Sequence, residues 1–580
     1  MTATAPAKKS EDEKEDTLFE SVLESVGSCG RYQQLLLWAF LAPLDFMVAW
    51  VALVPILLVD SPDHWCLVPG KPEDLDLLQW RNLTIPRKED GSFSQCTQYN
   101  ISNISDWILY PDNSTPIVPC QMGYLYSKDN FDETLTTRQD WVCDNSAKVA
   151  MWQSVGLAGN VVGTLFLNPL SDLFGRRLMF LVSAAIFGVM GIVRVYVTSE
   201  WLLMTTQFLA NTSFPPILEI SLILAYELVS STWRSRVTSI SYMFWSAGTC
   251  VLALLAWLSR SHRILSIIIS TPFLLYLPAA LLIPESPRWL LTRGRVDEAH
   301  ALLARVARVN GRDVPPKLHD QLSEISKKRM PNHGAYQLLQ TPVLRRRTIL
   351  LTFCYVLNNI FFYGLAYNTS NLNGNLFMNF FLIGVTEMPA NAAGWWASLS
   401  LGRRLSQSLC FLLAACCAAA TIFTEHSPVW ASIMLLTMSK FFITMSFLVV
   451  YLLIGELYPT SHCGTGMGLA SMFASSIGTA SPYIAYSAKE WYGLPFIILM
   501  LLGLTGCVLS SFLPETLNAP VPQNLLEAET HLTDSKYFSY KGRKFWQLGG
   551  PRVSDAQHEA GDAVRRNSAE GYANPVLSAD

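Results

Sequence analysis

The stretch "LSDLFGRRLMF" (170–180) ends a run of apolar residues with an aspartate and two adjacent arginines. It recurs in reduced form as "SLGRRLSQSL" at 400–409. A second pair of segments keeps step with the first: "YELVSSTWR" (226–234) and "GELYPTSHC" (455–463). Gly175 to Glu227 is 52 residues, and Gly402 to Glu456 is 54. Two motifs in the same order at nearly the same spacing describe a chain made of two similar halves.

Composition gives those halves their setting. Of 580 residues, 51% are hydrophobic and 15% charged, where a soluble protein carries about 25% charged residues. A net charge of −3 offers no electrostatic case for nucleic acid. Apolar runs of about 20 residues recur, each long enough to cross the hydrocarbon of a bilayer as a helix. They are continuous rather than alternating, so they read as helices and not as strands of a barrel. Twelve such runs are expected: 35–59, 148–170, 178–197, 202–226, 237–259 and 264–284 in the first half, then 347–367, 376–399, 406–424, 428–452, 464–486 and 492–514 in the second. The fold class is an all-α membrane protein of two six-helix halves. Its domains are a polar tail 1–34, a first half 35–284 that includes an insertion at 60–146, a charged linker 285–346 with short helices, a second half 347–514, and a polar, disordered tail 515–580. No signal-peptide pattern opens the chain.

Charge orients the spans. Arg176, Arg177, Arg234, Arg236, Arg403, Arg404 and the linker, with "RRR" at 345–347, fall in alternate loops. By the positive-inside rule those loops and both tails are cytoplasmic, and 60–146 is extracellular. The insertion agrees independently. It holds the sequons Asn82-Leu-Thr, Asn100-Ile-Ser, Asn103-Ile-Ser and Asn113-Ser-Thr. It also holds Cys66, Cys96, Cys120 and Cys143, an even set that reads as two disulfides with three pairings open. Asn211 and Asn368 match the sequon too, but lie in or against the membrane and should stay bare. The other eight cysteines are expected to be packed thiols.

Two halves of this kind place a substrate site between them near mid-membrane. The repeated charges sit at the cytoplasmic ends of the second, fourth, eighth and tenth spans, where halves would meet. Asp172 or Glu227 can pair with a loop arginine or cap a helix start, and breaking such pairs would set the inward–outward balance.

"SDLFGRR", "PESPRWLLTRGRVDEA" (284–299), "GELYPTSHCGTGMG" (455–468), "DHWC" (63–66) and "DWVC" (140–143) resemble the organic cation, anion and zwitterion transporter family (solute carrier 22 type) of the major facilitator superfamily. The likeness runs from about residue 20 to 517. It implies transport of small organic ions across the plasma membrane, with no enzyme chemistry, cofactor or metal. The motif positions that it marks for gating are Asp172, Gly175, Arg176, Arg177, Glu227, Arg234, Glu285, Arg288, Gly402, Arg403, Arg404 and Glu456. Four positions depart from the family pattern: Asn168 for Gly, Leu173 for Arg, Leu399 for Asp and Cys463 for Arg. These make the gate look intact in the first half and thinned in the second.

An ionisable group in the bilayer core costs several kcal/mol, so each is a functional candidate. Asp45, Glu219, Glu387 and Lys440 fall inside spans, and three acids against one base favour cationic or zwitterionic substrates. Glu219 can alternatively cap a break at Pro215-Pro216. Alignment to the family puts neutral Ser475, Asn391 and Asn358 where relatives carry charges that select anions or cations. Aromatic faces can hold a cation instead: Phe361, Phe362 and Tyr363 are available, with Trp395 and Trp396 serving either there or as interface belt. The substrate-site set is therefore Asp45, Glu219, Asn358, Phe362, Tyr363, Glu387, Asn391, Lys440 and Ser475. Partners are a small organic ion and the lipid bilayer, with a homo-oligomer through the outer loop also envisaged. Organic anion transport, or a receptor or scaffold of the same fold that no longer transports, are the alternative functions. An intramembrane enzyme finds no support, because no HExxH or Gly-x-Ser-x-Gly occurs. In the tail, "RRNS" (565–568) places Ser568 at a spacing that basic-directed kinases read.

Overall fold

A computed structural model describes residues 11–88, 91–101, 115–280, 283–327, 335–372, 374–424, 427–458, 463–517, 522 and 528–529. The principal helices are α1 (Glu11–Val26), α2 (Arg31–Leu58), α3 (Cys143–Phe174), α4 (Arg176–Tyr196), α5 (Glu200–Leu228), α6 (Ser231–Ser259), α7 (His262–Ala280), α8 (Val296–Val309), α9 (Leu318–Lys327), α10 (Pro342–Asn368), α11 (Leu376–Ser400), α12 (Arg403–Thr421), α13 (Val429–Leu457), α14 (Cys463–Gly478) and α15 (Leu494–Ser511). The expected apolar runs overlap helices among the described residues. Nine helices among the described residues are long and apolar enough to cross a membrane. The other three runs have visible causes. Helix α7 carries Pro272 and Pro278 and is short. Helix α11 holds Glu387 and Pro389. The last part of the eleventh run breaks after Gly478 and resumes at Ser481–Tyr486.

The internal repeat is visible in the packing. In the first half α2 packs on α6, α3 on α5 and α4 on α7. In the second, α10 packs on α14, α11 on α13 and α12 on α15, the same three neighbours. The halves meet where α6 lies along α11 and α3 lies along α14. The end carrying the 60–146 insertion is called here the loop end, and the opposite end the gate end. At the loop end Ser154 donates to the Thr479 carbonyl at 2.8 Å, and Phe131 meets Phe377 edge-on at 5.1 Å.

Two helices are interrupted where polar residues must be aimed. A π-helical turn spans Gly163–Leu167 of α3. Pro169 follows, which has no N–H to donate back to that turn. Helix α5 breaks at Ser213, before Pro215 and Pro216.

The insertion holds two two-stranded sheets. β1 (His64–Cys66) pairs antiparallel with β4 (Tyr124–Tyr126), and β2 (Thr97–Tyr99) with β3 (Ile117–Pro119). Of the three disulfide pairings, the structure has Cys66–Cys120 and Cys96–Cys143. Asn82 and Asn100 are exposed, whereas Asn211 and Asn368 are buried in helices. Asn103 and Asn113 lie outside the described residues, as does Ser568.

Both tails differ from the expectation. Residues 1–34 are not only polar: α1 buries Phe19, Val22, Leu23 and Val26 against Trp289, Leu303, Leu318 and Leu322 of the linker helices. Asn310 closes this unit, accepting from the Tyr32 N–H at 2.9 Å and donating to the Val26 carbonyl and Gln33. The periodicity of α1 was masked in the sequence by its acidic first turn. In the C-terminal tail, expected to be disordered throughout, Ala528 is fully buried and Glu529 caps the start of α10. Its two oxygens accept from the Val343 and Leu344 N–H groups at 3.0 Å each. Arg347 donates to the Ala528 carbonyl at 2.7 Å.

This clip is titratable. Partial burial works against the Glu529 charge, but donors on Thr341, Val343 and Leu344 and the Arg347 guanidinium outweigh it and hold the carboxyl below its usual range. A carboxyl depressed in the folded state stabilises the docked tail above its unfolded pKa and loses that effect as pH falls through the folded value. Glu529→Gln should therefore release the segment at neutral pH, read as faster proteolysis after residue 517. Wild type should release it only in acid below the ordinary carboxylate range. Equal cleavage rates for both at neutral pH would refute the clip.

Candidate functional site

Helix α6 organises the space between the halves. Ser241 and Trp245 are four residues apart and share one face of that helix. The Ser241 hydroxyl donates to Asp45 of α2 at 2.5 Å, and the Trp245 side chain hydrogen-bonds Glu387 of α11. Two buried acids from different halves thus hang from successive turns of one helix. Asp45 and Glu387 are each 2% exposed. The other Asp45 oxygen has no hydrogen-bond partner among the described residues.

Glu387 faces the one buried base of the expected set. Lys440 Nζ of α13 lies 3.4 Å from Glu387 Oε1 and 2.9 Å from the centroid of the Phe362 ring. It also reaches the Phe362 carbonyl at 3.5 Å. Taking two charges out of water costs several kcal/mol each, and mutual attraction recovers this only with good geometry. A longer-than-ideal pair against a ring face is therefore one that a better-fitting ion can open. One turn away on α10, Asn358 is fully buried, and among the described residues neither its amide oxygen nor its nitrogen has a partner. Buried polar groups are otherwise almost always paired.

Aromatic rings wall the gate side of this pair. Phe362 meets Tyr363 at 5.5 Å and Phe447 at 5.2 Å. The Tyr355 and Tyr451 hydroxyls are 2.8 Å apart, and the Tyr451 ring meets Tyr242 across the halves at 5.8 Å. Of these, only Phe362 and Tyr363 were named from the sequence. Tyr242, Trp245, Tyr355, Phe447 and Tyr451 were missed. The available signal was spacing: 355 and 362, like 447 and 451, lie on one helical face. Phe361 turns away, fully buried, towards Gly503 of α15. Trp395 and Trp396 are 55% and 42% exposed, on the outside of the bundle. Asn391 and Ser475 are half-buried.

Glu219 faces the Tyr355 and Tyr451 end of this cluster, away from the Glu387–Lys440 pair, and does not cap the Pro215-Pro216 break. Its Oε2 accepts from Asn168 Nδ2 of α3 at 2.5 Å, and its Oε1 from the Ser471 hydroxyl of α14 at 3.1 Å.

At the gate end each half builds the same knot. Gly175 and Gly402 precede α4 and α12 with φ of +104° and +91°. A Cβ at either would strike a carboxylate, Glu285 in the first half and Glu515 in the second. Those carboxylates cap the helices. Glu285 accepts from the Arg176 N–H at 2.9 Å and the Arg177 N–H at 3.3 Å. Glu515 accepts from the Arg403 N–H at 2.8 Å and the Arg404 N–H at 3.1 Å. "IPES" (283–286) and "LPET" (513–516) are thus a third repeated motif, unnoticed in the sequence.

The second half, where Leu399 and Cys463 depart from the family pattern, keeps an ion pair of its own. Arg403 pairs with Glu456 at 2.8 Å, and the Thr516 hydroxyl also donates to Glu456. In the first half Arg176 reaches Asp172 at 2.8 Å and Glu227 at 3.7 Å. Asp172 is 70% exposed, so its pair is the weaker one. All these pairs close within a half and not across the halves. Arg288 follows Glu285 in the short helix Pro287–Thr292. The Arg234 side chain lies outside the described residues.

Known proteins share this architecture. The family model "Sugar (and other) transporter" matches residues 121–523. The carcinine transporter of Drosophila melanogaster is 32% identical over 537 residues, spanning 88% of this chain and 79% of that protein. The beta-alanine transporter of the same fly is 30% identical over 541 residues, spanning 88% and 89%. Organic cation transporter 1 of Caenorhabditis elegans is 29% identical over 528 residues, spanning 88% of each. Among solved structures, the xylose transporter XylE from E. coli, in a partially occluded inward-open conformation, superposes with a TM-score of 0.53 at 17% identity. That match covers 64% of this chain and 89% of XylE, and the shared fold is that of the major facilitator superfamily.

Proposed function

This chain belongs to the sugar (and other) transporter family, among relatives that include organic cation transporters, and we propose that it moves small organic cations or zwitterions across the plasma membrane by alternating access. The observation that carries this reading is the Glu387–Lys440 pair, buried against Phe362 between the halves. An ammonium on the substrate competes with Lys440 for Glu387 and gains the ring faces of Phe362 and Tyr363. A zwitterion answers both charges at once, its amine on Glu387 and its carboxylate on Lys440, with the unpartnered Asn358 amide for a further polar group. Asp45 of α2, held by Ser241 one turn from Trp245 on α6, supplies a second carboxylate. Two relatives are named for small amines, carcinine and beta-alanine.

The topology completes the reading: twelve crossings, both termini cytoplasmic, the 60–146 loop extracellular and glycosylated. The paired knots around Gly175 and Gly402 act as gates. The test is a radiolabelled uptake panel in cells expressing the chain. Cations and zwitterions should enter, and dianions should not. Movement of dianions alone, or of nothing at the cell surface, would overturn the assignment in favour of an anion carrier or a non-transporting receptor. Glycosidase should increase gel mobility, and Asn82→Gln with Asn100→Gln should reduce that shift; an unchanged mobility in a eukaryotic host would defeat the extracellular placement.

A further inference from the structure

We infer that Glu219 is a proton-binding latch between the halves, separate from the Glu387–Lys440 site. The geometry carries the inference. Glu219 belongs to α5 of the first half, and its Oε1 accepts from Ser471 on α14 of the second. Its Oε2 accepts from Asn168 on α3. These three residues lie about two turns from the gate ends of their helices. Breaking the Ser471 bond is thus a step in parting the halves on that side.

The partners are suited to a proton and not to a fixed ion pair. Among the described residues no cation pairs with Glu219, and α3 and α14 present only the neutral amide and hydroxyl. The titratable groups that face it from elsewhere are Tyr355 of α10 and Tyr451 of α13. The tyrosine hydroxyls carry no positive charge to hold a carboxylate in the membrane core, where ionisation is costly. Asn168 also offers an acceptor: its Oδ1 is buried without a partner among the described residues. The two ends of an amide occupy nearly the same space. Rotating that amide by half a turn places its oxygen at Glu219, where a protonated carboxyl donates to it. Either charge state of the carboxyl therefore finds a partner on Asn168.

The cycle balances one proton. Ionised Glu219 is a strong acceptor and holds the Ser471 hydroxyl, keeping the gate side shut. A proton taken from the loop-end solution forms the O–H bond and weakens that acceptor. The gate side parts, the O–H bond breaks and the proton leaves at the gate end. No redox partner is involved. The inference needs transport but not the substrate class proposed above.

The experiment places spin labels at Leu178 and Leu405, exposed positions at the gate ends of α4 and α12, on the full chain with its free cysteines changed to serine. Label separation is measured in mildly alkaline and mildly acidic buffer without substrate. Acid should shift wild type towards longer distances, and Glu219→Gln and Ser471→Ala should show the longer distance at both pH values. A wild-type distribution unmoved by acid overturns the latch, and so does either variant responding as wild type does. An inward proton gradient should raise accumulation of the best panel compound several-fold in wild type; no rise removes the proton from the transport cycle. An empty uptake panel would instead fail the substrate reading while the spin-label result still decides the latch.

Discussion

Glu387→Gln should abolish transport and cost the folded protein about 3–5 kcal/mol, the range for stranding one member of a buried ion pair. Lys440, 1% exposed, would lose its carboxylate partner and keep, among the described residues, the Phe362 ring and carbonyl. The measurement is paired: thermal midpoint of the purified chain, and uptake of the best panel compound at matched surface expression. The double variant Glu387→Gln with Lys440→Met removes both charges and should recover most of the midpoint, because no uncompensated buried charge then remains. It should not recover uptake. Recovery of both would make the pair structural and move the substrate site elsewhere. Asp45→Asn should be milder, weakening apparent affinity for cations while leaving the midpoint near wild type, since its partner Ser241 accepts or donates equally well.

Gly402→Ala should be the most damaging change at the gate. The residue has φ +91° and ψ +161°, a region that side chains enter only at about 1–3 kcal/mol. The new Cβ would also meet the Glu515 carboxylate, which caps α12 through the Arg403 and Arg404 N–H groups. Displacing that cap costs on the order of another 1–2 kcal/mol. It also loosens the loop that holds Arg403 on Glu456. Maximal uptake should fall at least several-fold, with apparent affinity little changed, because the substrate residues lie on other turns. Gly175→Ala should do the same through Glu285. Asp172→Asn should lower maximal uptake far less, given its solvent exposure and the Glu227 and Glu285 contacts that remain. If affinity and not maximal rate moved in Gly402→Ala, the knot would belong to the binding site and the gating role would be wrong.

Much of this protein was legible before any coordinates. Hydropathy marks helices because the backbone in lipid has no other partner than itself, and among the described residues nine of the runs lie on helices long and apolar enough to cross a membrane. The spacing of "DLFGRR" to Glu227 and of "SLGRR" to Glu456 marks the two halves, because equivalent loops of a repeat must keep equivalent chain lengths. Asp45, Glu219, Glu387 and Lys440 stood out because charge in an apolar run is costly. Four cysteines in one loop announced two disulfides, but not their pairing. Pairing depends on which strands lie side by side, and β1–β4 and β2–β3 are contacts that close across tens of residues. The sequence could likewise say that four ionisable groups are buried, but not which meet. Only the crossing of α11 and α13 beside α10 puts Lys440 on Glu387, and only the contact of α3, α5 and α14 sets Glu219 between Asn168 and Ser471. Leu399 and Cys463, in place of the family's Asp and Arg, mark a departure at the gate, but only packing shows Glu515 and Thr516 arriving there from the far end of the half. A one-dimensional pattern records which residues are costly to bury, whereas the partner that offsets each cost is chosen by helices remote in sequence.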